Sequence, residues 1–207
     1  MSPESTVYLK PKICVSGAAE TIHCGPNAFE KAEELGREIA RQGAVLVTGA
    51  TTGFPFWAAK GAKSMGGFTI GMSPAMSEKE HVQVYGLPIE YNDIIIYTGF
   101  NYSGRNLLLT RAADAVIEGC GRIGTINEFT IAFEDNKPIG VLMGDWGTDE
   151  LIKEIIEKSH RGDGKMVYSA NPKELVEKII ALIKKEKTVN TTKINPTSLE
   201  QIMPPLE

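Results

Sequence analysis

This chain of 207 residues has little that would suit a membrane, a disulfide framework or a zinc finger. No apolar run approaches the roughly 20 residues that a spanning helix needs, so no membrane association is expected. Met1 to Lys12 lacks the apolar stretch of a signal peptide, which leads us to expect a cytoplasmic protein. Cysteine is scarce: Cys14, Cys24 and Cys120 are too few and too far apart for a disulfide framework or a CxxC ligand pair, and we read them as reduced thiols. His23, His81 and His160 are equally scattered, so neither a metal nor any other resident cofactor is expected. Basic residues are not in excess either. Lys and Arg number 22 against 26 Asp and Glu, the net charge is −4, and no face-forming Lys/Arg cluster stands out, which argues against nucleic acid as a partner. No clean GxGxxG follows the first strand, and no internal repeat is visible.

What is present is alternation. With 42% hydrophobic and 23% charged residues, the chain has the make-up of one globular domain, expected over 12–187, with an N-terminal extension at 1–11 and a C-terminal tail at 188–207. From Lys12 to Lys187, short apolar runs alternate with helical periodicities. That is the pattern of βαβ units, and it predicts an α/β fold of Rossmann-like, doubly wound type, with a mostly parallel sheet of about seven strands flanked by helices. The first strand reads Ile13-Cys14-Val15-Ser16. Pro26 opens a helix through Gln42, on which Phe29, Ala32, Leu35, Ile39 and Ala40 form the apolar stripe. Further strands are expected at 44–48, 68–72, 94–97, 115–117, 139–143 and 165–170. Ile94 to Tyr97, apolar on both faces, reads as a central strand. Ser73 to Asp93 is long, polar and without period, and reads as an irregular excursion able to cover a ligand. Thr148 reads as the cap of a helix over 150–159. The tail, rich in Thr, Asn and Pro, reads as extended.

Ligands of doubly wound sheets bind beyond the carboxyl ends of the strands. Four strand-to-helix turns here are rich in glycine: Ser16-Gly17, Gly49 to Gly53, Gly99 to Gly104, and Gly119 to Gly124. Glycine admits a phosphate close to the backbone, and the helix that follows offers free N–H groups. We therefore expect a phosphorylated, nucleotide-like small molecule, with Ser16, Gly17, Gly49, Gly53, Tyr102, Gly104, Gly121, Arg122, Gly124 and Thr125 as binding candidates. Glu128 lies three residues after Thr125, which fits either a capping box or a carboxylate aimed into the cleft. Arg105 sits just inside a helix, where a cation opposes the helix dipole, so an anion nearby would explain it.

The stretch RNLLLTRAADAVIEGCGRIGTINE, from Arg105 to Glu128, resembles the signature of the Lonely Guy family of phosphoribohydrolases. There an Arg-Lys pair precedes a Ser-Asp-Ala strand and PGGxGTxxE at the same spacing. Arg105, Asp114, Gly121, Gly124, Thr125 and Glu128 match it, whereas Asn106, Cys120 and Arg122 replace its lysine, proline and second glycine. The resemblance covers most of Lys12 to Met143. It implies a homo-oligomer, dimeric or tetrameric, and a loop that holds the 5'-phosphate of a nucleoside monophosphate. It also implies that Arg105 and Glu128 are catalytic in hydrolysis of the N-glycosidic bond. The wider superfamily includes non-catalytic members, among them a molybdenum-cofactor carrier and DNA-processing proteins. Enzyme and binder, including a carrier of a phosphorylated pterin-type cofactor, therefore both stay open. Arg122 in the loop either adds a phosphate contact or fills the pocket.

Overall fold

A computed structural model describes residues 9–191 of the protein. Its elements run β1 (Lys12–Ser16), α1 (Ala28–Arg41), β2 (Val45–Thr48), α2 (Phe54–Ser64), β3 (Thr69–Ser73), α3 (Glu78–Gln83) and β4 (Ile94–Tyr97). They continue with α4 (Asn101–Ala112), β5 (Ala115–Glu118), α5 (Ile123–Glu134), β6 (Ile139–Leu142), α6 (Thr148–Ser159), β7 (Met166–Ser169) and α7 (Pro172–Thr191). The seven strands form one sheet in the order β4-β3-β2-β1-β5-β6-β7, and every pairing is parallel. The fold is therefore the Rossmann-like α/β sandwich that the alternation predicts.

The helices cover both faces, so the inner strands carry no polar side. Ile13, Val15, Leu46 and Ile117 pack against Ala32, Leu35 and Ile39 of α1, Ala58 and Ala62 of α2, and Leu175 and Ile179 of α7. On the other face Cys14, Val47, Val116 and Val141 meet Leu109 of α4, Phe129 of α5 and Ile152 of α6. Burying a side chain of this size contributes about 1.5–3 kcal/mol, and the two layers together hold the sheet.

Sequence order reverses at β1, whose neighbours are β2 and β5. The two central strands end side by side, Ser16 paired in register with Glu118. At such a switch point the following loops part and leave a crevice beyond the strand ends.

Five sequence expectations need correction. Ile94 to Tyr97 is not central: β4 is an edge strand, with Ile94 49% and Ile96 46% exposed. An apolar run on both faces does not tell a buried strand from an edge that awaits a cover. Ser73 to Asp93 contains a helix, α3, capped by the Ser77 hydroxyl, which accepts from the Glu80 N–H at 3.2 Å. Thr148 does not cap α6; the preceding Gly147, in the left-handed region, takes that place. The Thr148 hydroxyl instead accepts from the Gly121 N–H at 2.8 Å and faces the Gly121 carbonyl at 3.2 Å, tying α6 to the glycine loop. Cys24 and Cys120 are not separate thiols but form a disulfide, their Cα atoms 5.6 Å apart, and only Cys14 is free. A separation of 96 residues hides this proximity in the sequence. Lastly, α7 continues to Thr191, into the tail expected to be extended from 188. The rest of that tail, and residues 1–8 of the N-terminal extension, lie outside the described residues.

Candidate functional site

A cavity of about 430 Å³ opens at the switch point. Its walls come from the turn after β1 (Gly17, Ala18, Ala19, Glu20), Thr51, Tyr102, Arg105 and Asn106 of α4, and the start of α5 (Arg122 to Thr125) with Glu128. The volume lies within the roughly 300–1,000 Å³ usual for small-molecule sites.

Of the residues singled out in the sequence, Gly17, Tyr102, Arg105, Arg122, Gly124, Thr125 and Glu128 line this cavity. Ser16, Gly49, Gly53, Gly104 and Gly121 do not line it, and several glycines of these turns have a packing reason. A Cβ on Gly17 would come within 2.7 Å of Phe54, and one on Gly119 would overlap the same ring. Phe54, fully buried, is thus the bed on which the turns after β1 and β5 rest. Gly49 is bare because the Arg105 guanidinium lies across it. Asp114, part of the signature, is remote in role: it accepts from the Lys12 N–H at 2.7 Å and pairs with Lys12 and Lys187. Burial opposes its charge, but the Lys12 amide and the two ammonium groups hold its carboxyl below the ordinary value.

Arg105 is 5% exposed, and its Nε is buried with no hydrogen-bond partner. A buried guanidinium N–H left unmatched is costly, and Arg105, on the cavity wall, supplies a positive charge that favours an anion there. The first turn of α5 adds to this. Its N-cap, Arg122, gives no side-chain hydrogen bond, so the N–H groups of Ile123, Gly124 and Thr125 have no acceptor from within the helix. The helix dipole makes that end favourable for negative charge. Arg122, exposed at the mouth, is paired with Glu20.

Glu128 is not consumed as a cap. Its Oε2 accepts from the Ser16 hydroxyl. Asn106, turned so that its amide nitrogen faces inward, donates to Glu128 Oε1 at 2.8 Å and to the Tyr102 carbonyl at 2.9 Å. The opposite orientation donates to Asn127 Oδ1 at 3.0 Å but takes the Asn106 donor away from Glu128 Oε1. Burial pushes the Glu128 carboxyl above its ordinary value, against the opposing field of Arg105 and the Ser16 hydroxyl. Glu118, which the sequence reading passed over, lies alongside. It is wholly buried, and both its oxygens lack partners because the Ser16 hydroxyl is committed to Glu128. Burial first, then the Glu128 charge, pushes its carboxyl well up. A signal for Glu118 did exist: a charged residue closes the otherwise apolar run Ala115 to Ile117.

The fold and the crevice define a Rossmann-like α/β protein with an arginine and a helix N-terminus facing one cavity. The chain belongs to the SLOG cluster4 family, whose model matches residues 10–176. It is similar to an uncharacterized protein of Archaeoglobus fulgidus, 33% identical over 131 residues, which are 63% of this chain and 79% of that one. Among solved structures it is similar to the molybdenum cofactor binding protein of Rippkaea orientalis (31% identity, TM-score 0.67, covering 86% of this chain and 98% of that one). It is also similar to the molybdenum cofactor carrier protein of Chlamydomonas reinhardtii (29%, 0.66, 84% and 99%). DNA processing protein A of Helicobacter pylori, at 22% identity and TM-score 0.59, shares the fold.

Proposed function

We propose that the protein binds a phosphorylated, nucleotide-like small molecule in this cavity and carries it unchanged, the ligand being of the phosphorylated pterin class. The observation that carries the reading is Arg105, buried at the cavity wall with an unmatched Nε beside the open amides of α5. Similarity to two proteins named for the molybdenum cofactor, at 29–31% identity over nearly their whole length, supports the choice of ligand.

The donor set fits such a group. Arg105, the amides of Ile123 to Thr125 and the Thr125 hydroxyl would take the phosphate. Glu128, an acceptor when ionised, would take N–H groups of a ring. When bound, the cofactor would supply redox chemistry to a client enzyme; the residues here would only hold and shield it. Calorimetry with a phosphorylated pterin and a panel of nucleoside 5'-monophosphates tests this. Arg105→Ala should weaken the preferred ligand roughly 10- to 100-fold, the worth of a charge-assisted hydrogen bond. Binding of none of these compounds, or binding indifferent to Arg105→Ala, would remove the reading.

One observation favours a second reading, the phosphoribohydrolase implied by the resemblance to the Lonely Guy family. Arg105 and Glu128 line the same cavity, and Glu128 is free of a capping role. In that case Glu128 would orient a water, or stabilise the positive sugar carbon, as the N-glycosidic bond breaks. Chromatography for free base after incubation with nucleoside 5'-monophosphates decides. Release that disappears in Glu128→Ala establishes the hydrolase, and intact nucleotide removes it, leaving the carrier reading to the calorimetry. A homo-oligomer belongs to the same proposal. The exposed edge β4, with Ile94 and Ile96 on one face, is suited to cover by a second copy. Ile96→Lys should then lower the mass seen by light scattering to that of one chain.

A further inference from the structure

Beside the cavity, and apart from it, three potential metal ligands converge. His23 Nε2 lies 3.6 Å from Cys120 Sγ and 3.8 Å from Cys24 Sγ, all three atoms within 4.8 Å of one another. Both sulfurs are buried, whereas His23 is exposed. A hollow of about 30 Å³, lined by Cys24, Gly25, Lys31, Asp145 and Trp146 among others, adjoins Cys24.

We infer that the reduced form of this cluster binds a thiophilic divalent cation, Zn²⁺ in kind, through His23, Cys24 and Cys120, and that the disulfide form does not. In tetrahedral zinc sites, with Zn–N near 2.0–2.1 Å and Zn–S near 2.3 Å, nitrogen and sulfur stand about 3.5–3.6 Å apart and two sulfurs about 3.8 Å apart. The two N···S distances here are already close to that value. Only the sulfurs must part, which side-chain rotation allows at a Cα separation of 5.6 Å. Two thiolates and one imidazole make a three-ligand set. The fourth position falls on the exposed His23 side, where water or a further donor completes the shell.

The two states interconvert by a balanced exchange. A dithiol reductant supplies two electrons and two protons to the Cys24–Cys120 bond, giving two thiols and an oxidised reductant. Zn²⁺ then displaces one proton from each thiol and takes the Nε2 lone pair of neutral His23. In the oxidised form the same Nε2 lies 3.3 Å from the Gly121 carbonyl, a contact that metal binding gives up. Metal loading is thereby coupled to the glycine loop, although the site stands or falls independently of what the cavity holds.

The test uses the whole protein, oxidised and then reduced with the reductant removed, titrated with Zn²⁺ and separately with Co²⁺. The reduced protein should take up about one ion per chain, with thiolate-to-cobalt charge-transfer absorption, and the oxidised protein none. Cys24→Ser, which leaves Cys120 as the one thiolate, should weaken the charge-transfer band, and His23→Ala should weaken binding roughly tenfold or more. His23 is exposed, so that variant keeps the fold and isolates the ligand role. Equal uptake by the oxidised form, no uptake by the reduced form, or a cobalt spectrum without thiolate absorption would each overturn the inference.

Discussion

Replacing Gly119 with alanine pushes a methyl group into the edge of the Phe54 ring, where Cε1 and Cζ already stand. Phe54 is fully buried and cannot swing away, so the substitution overpacks the core at a cost of about 1–3 kcal/mol. Alanine at an ordinary backbone angle recovers about 0.4–1 kcal/mol by stiffening the unfolded chain, which leaves a net loss of roughly 1–2 kcal/mol. Phe54→Leu removes the outer ring carbons, and by comparison with full truncation to alanine it should cost about 1–2 kcal/mol. In the double variant the new methyl occupies the space that the ring edge vacates. The combined loss should then fall short of the sum by about 1 kcal/mol or more. Urea denaturation followed by circular dichroism, on wild type, both single variants and the double, measures that difference. At roughly 2–4 °C per kcal/mol for a chain of this size, melting curves would show it too. If the two costs add within about 0.3–0.5 kcal/mol, Phe54 is not the support of the turn after β5.

Other outcomes follow from the charges. Glu128→Gln should melt a few degrees higher than wild type near neutrality. The wild-type carboxyl, raised by burial, loses folded-state stability as the pH climbs above its ordinary 4.5 through the raised value, so the gain should vanish below about 4.5. A gain that persists undiminished at acid pH would contradict this. Asp114→Asn should behave in the opposite sense. The native carboxyl is held low, so its contribution is present above the ordinary 3.8 and is lost as the pH falls below it. The variant should therefore be less stable than wild type at neutral pH and converge with it in acid, as read from melting temperatures across pH. Denatured without reductant, the oxidised protein should offer one reactive thiol, Cys14, and after reduction three; equal counts would exclude the Cys24–Cys120 bond.

Alternation of apolar runs with helical stripes suffices to read the fold from this chain, because a parallel sheet can bury both faces only if helices follow its strands. Ile13 to Ser16, the α1 stripe and the turn Gly119 to Gly124 declare themselves by local pattern. The pairing of Arg105 with Glu128 is visible only through spacing within a motif that resembles a known one. What the tertiary structure decided is everything that depends on which distant segments meet. Edge or centre for β4 depends on strand order, which no local pattern encodes. The glycines after β1 and β5 answer to Phe54, which belongs to another unit. Glu118 comes beside Ser16, the hydroxyl that donates to Glu128, because β1 and β5 end in register. Cys24 finds Cys120 across 96 residues because the loop before α1 folds over the start of α5. The local sequence sets torsional preference and amphipathic face, which act over a few residues. Charge pairing, close packing and sulfur chemistry act through space, and only the folded chain brings those groups within a few ångströms.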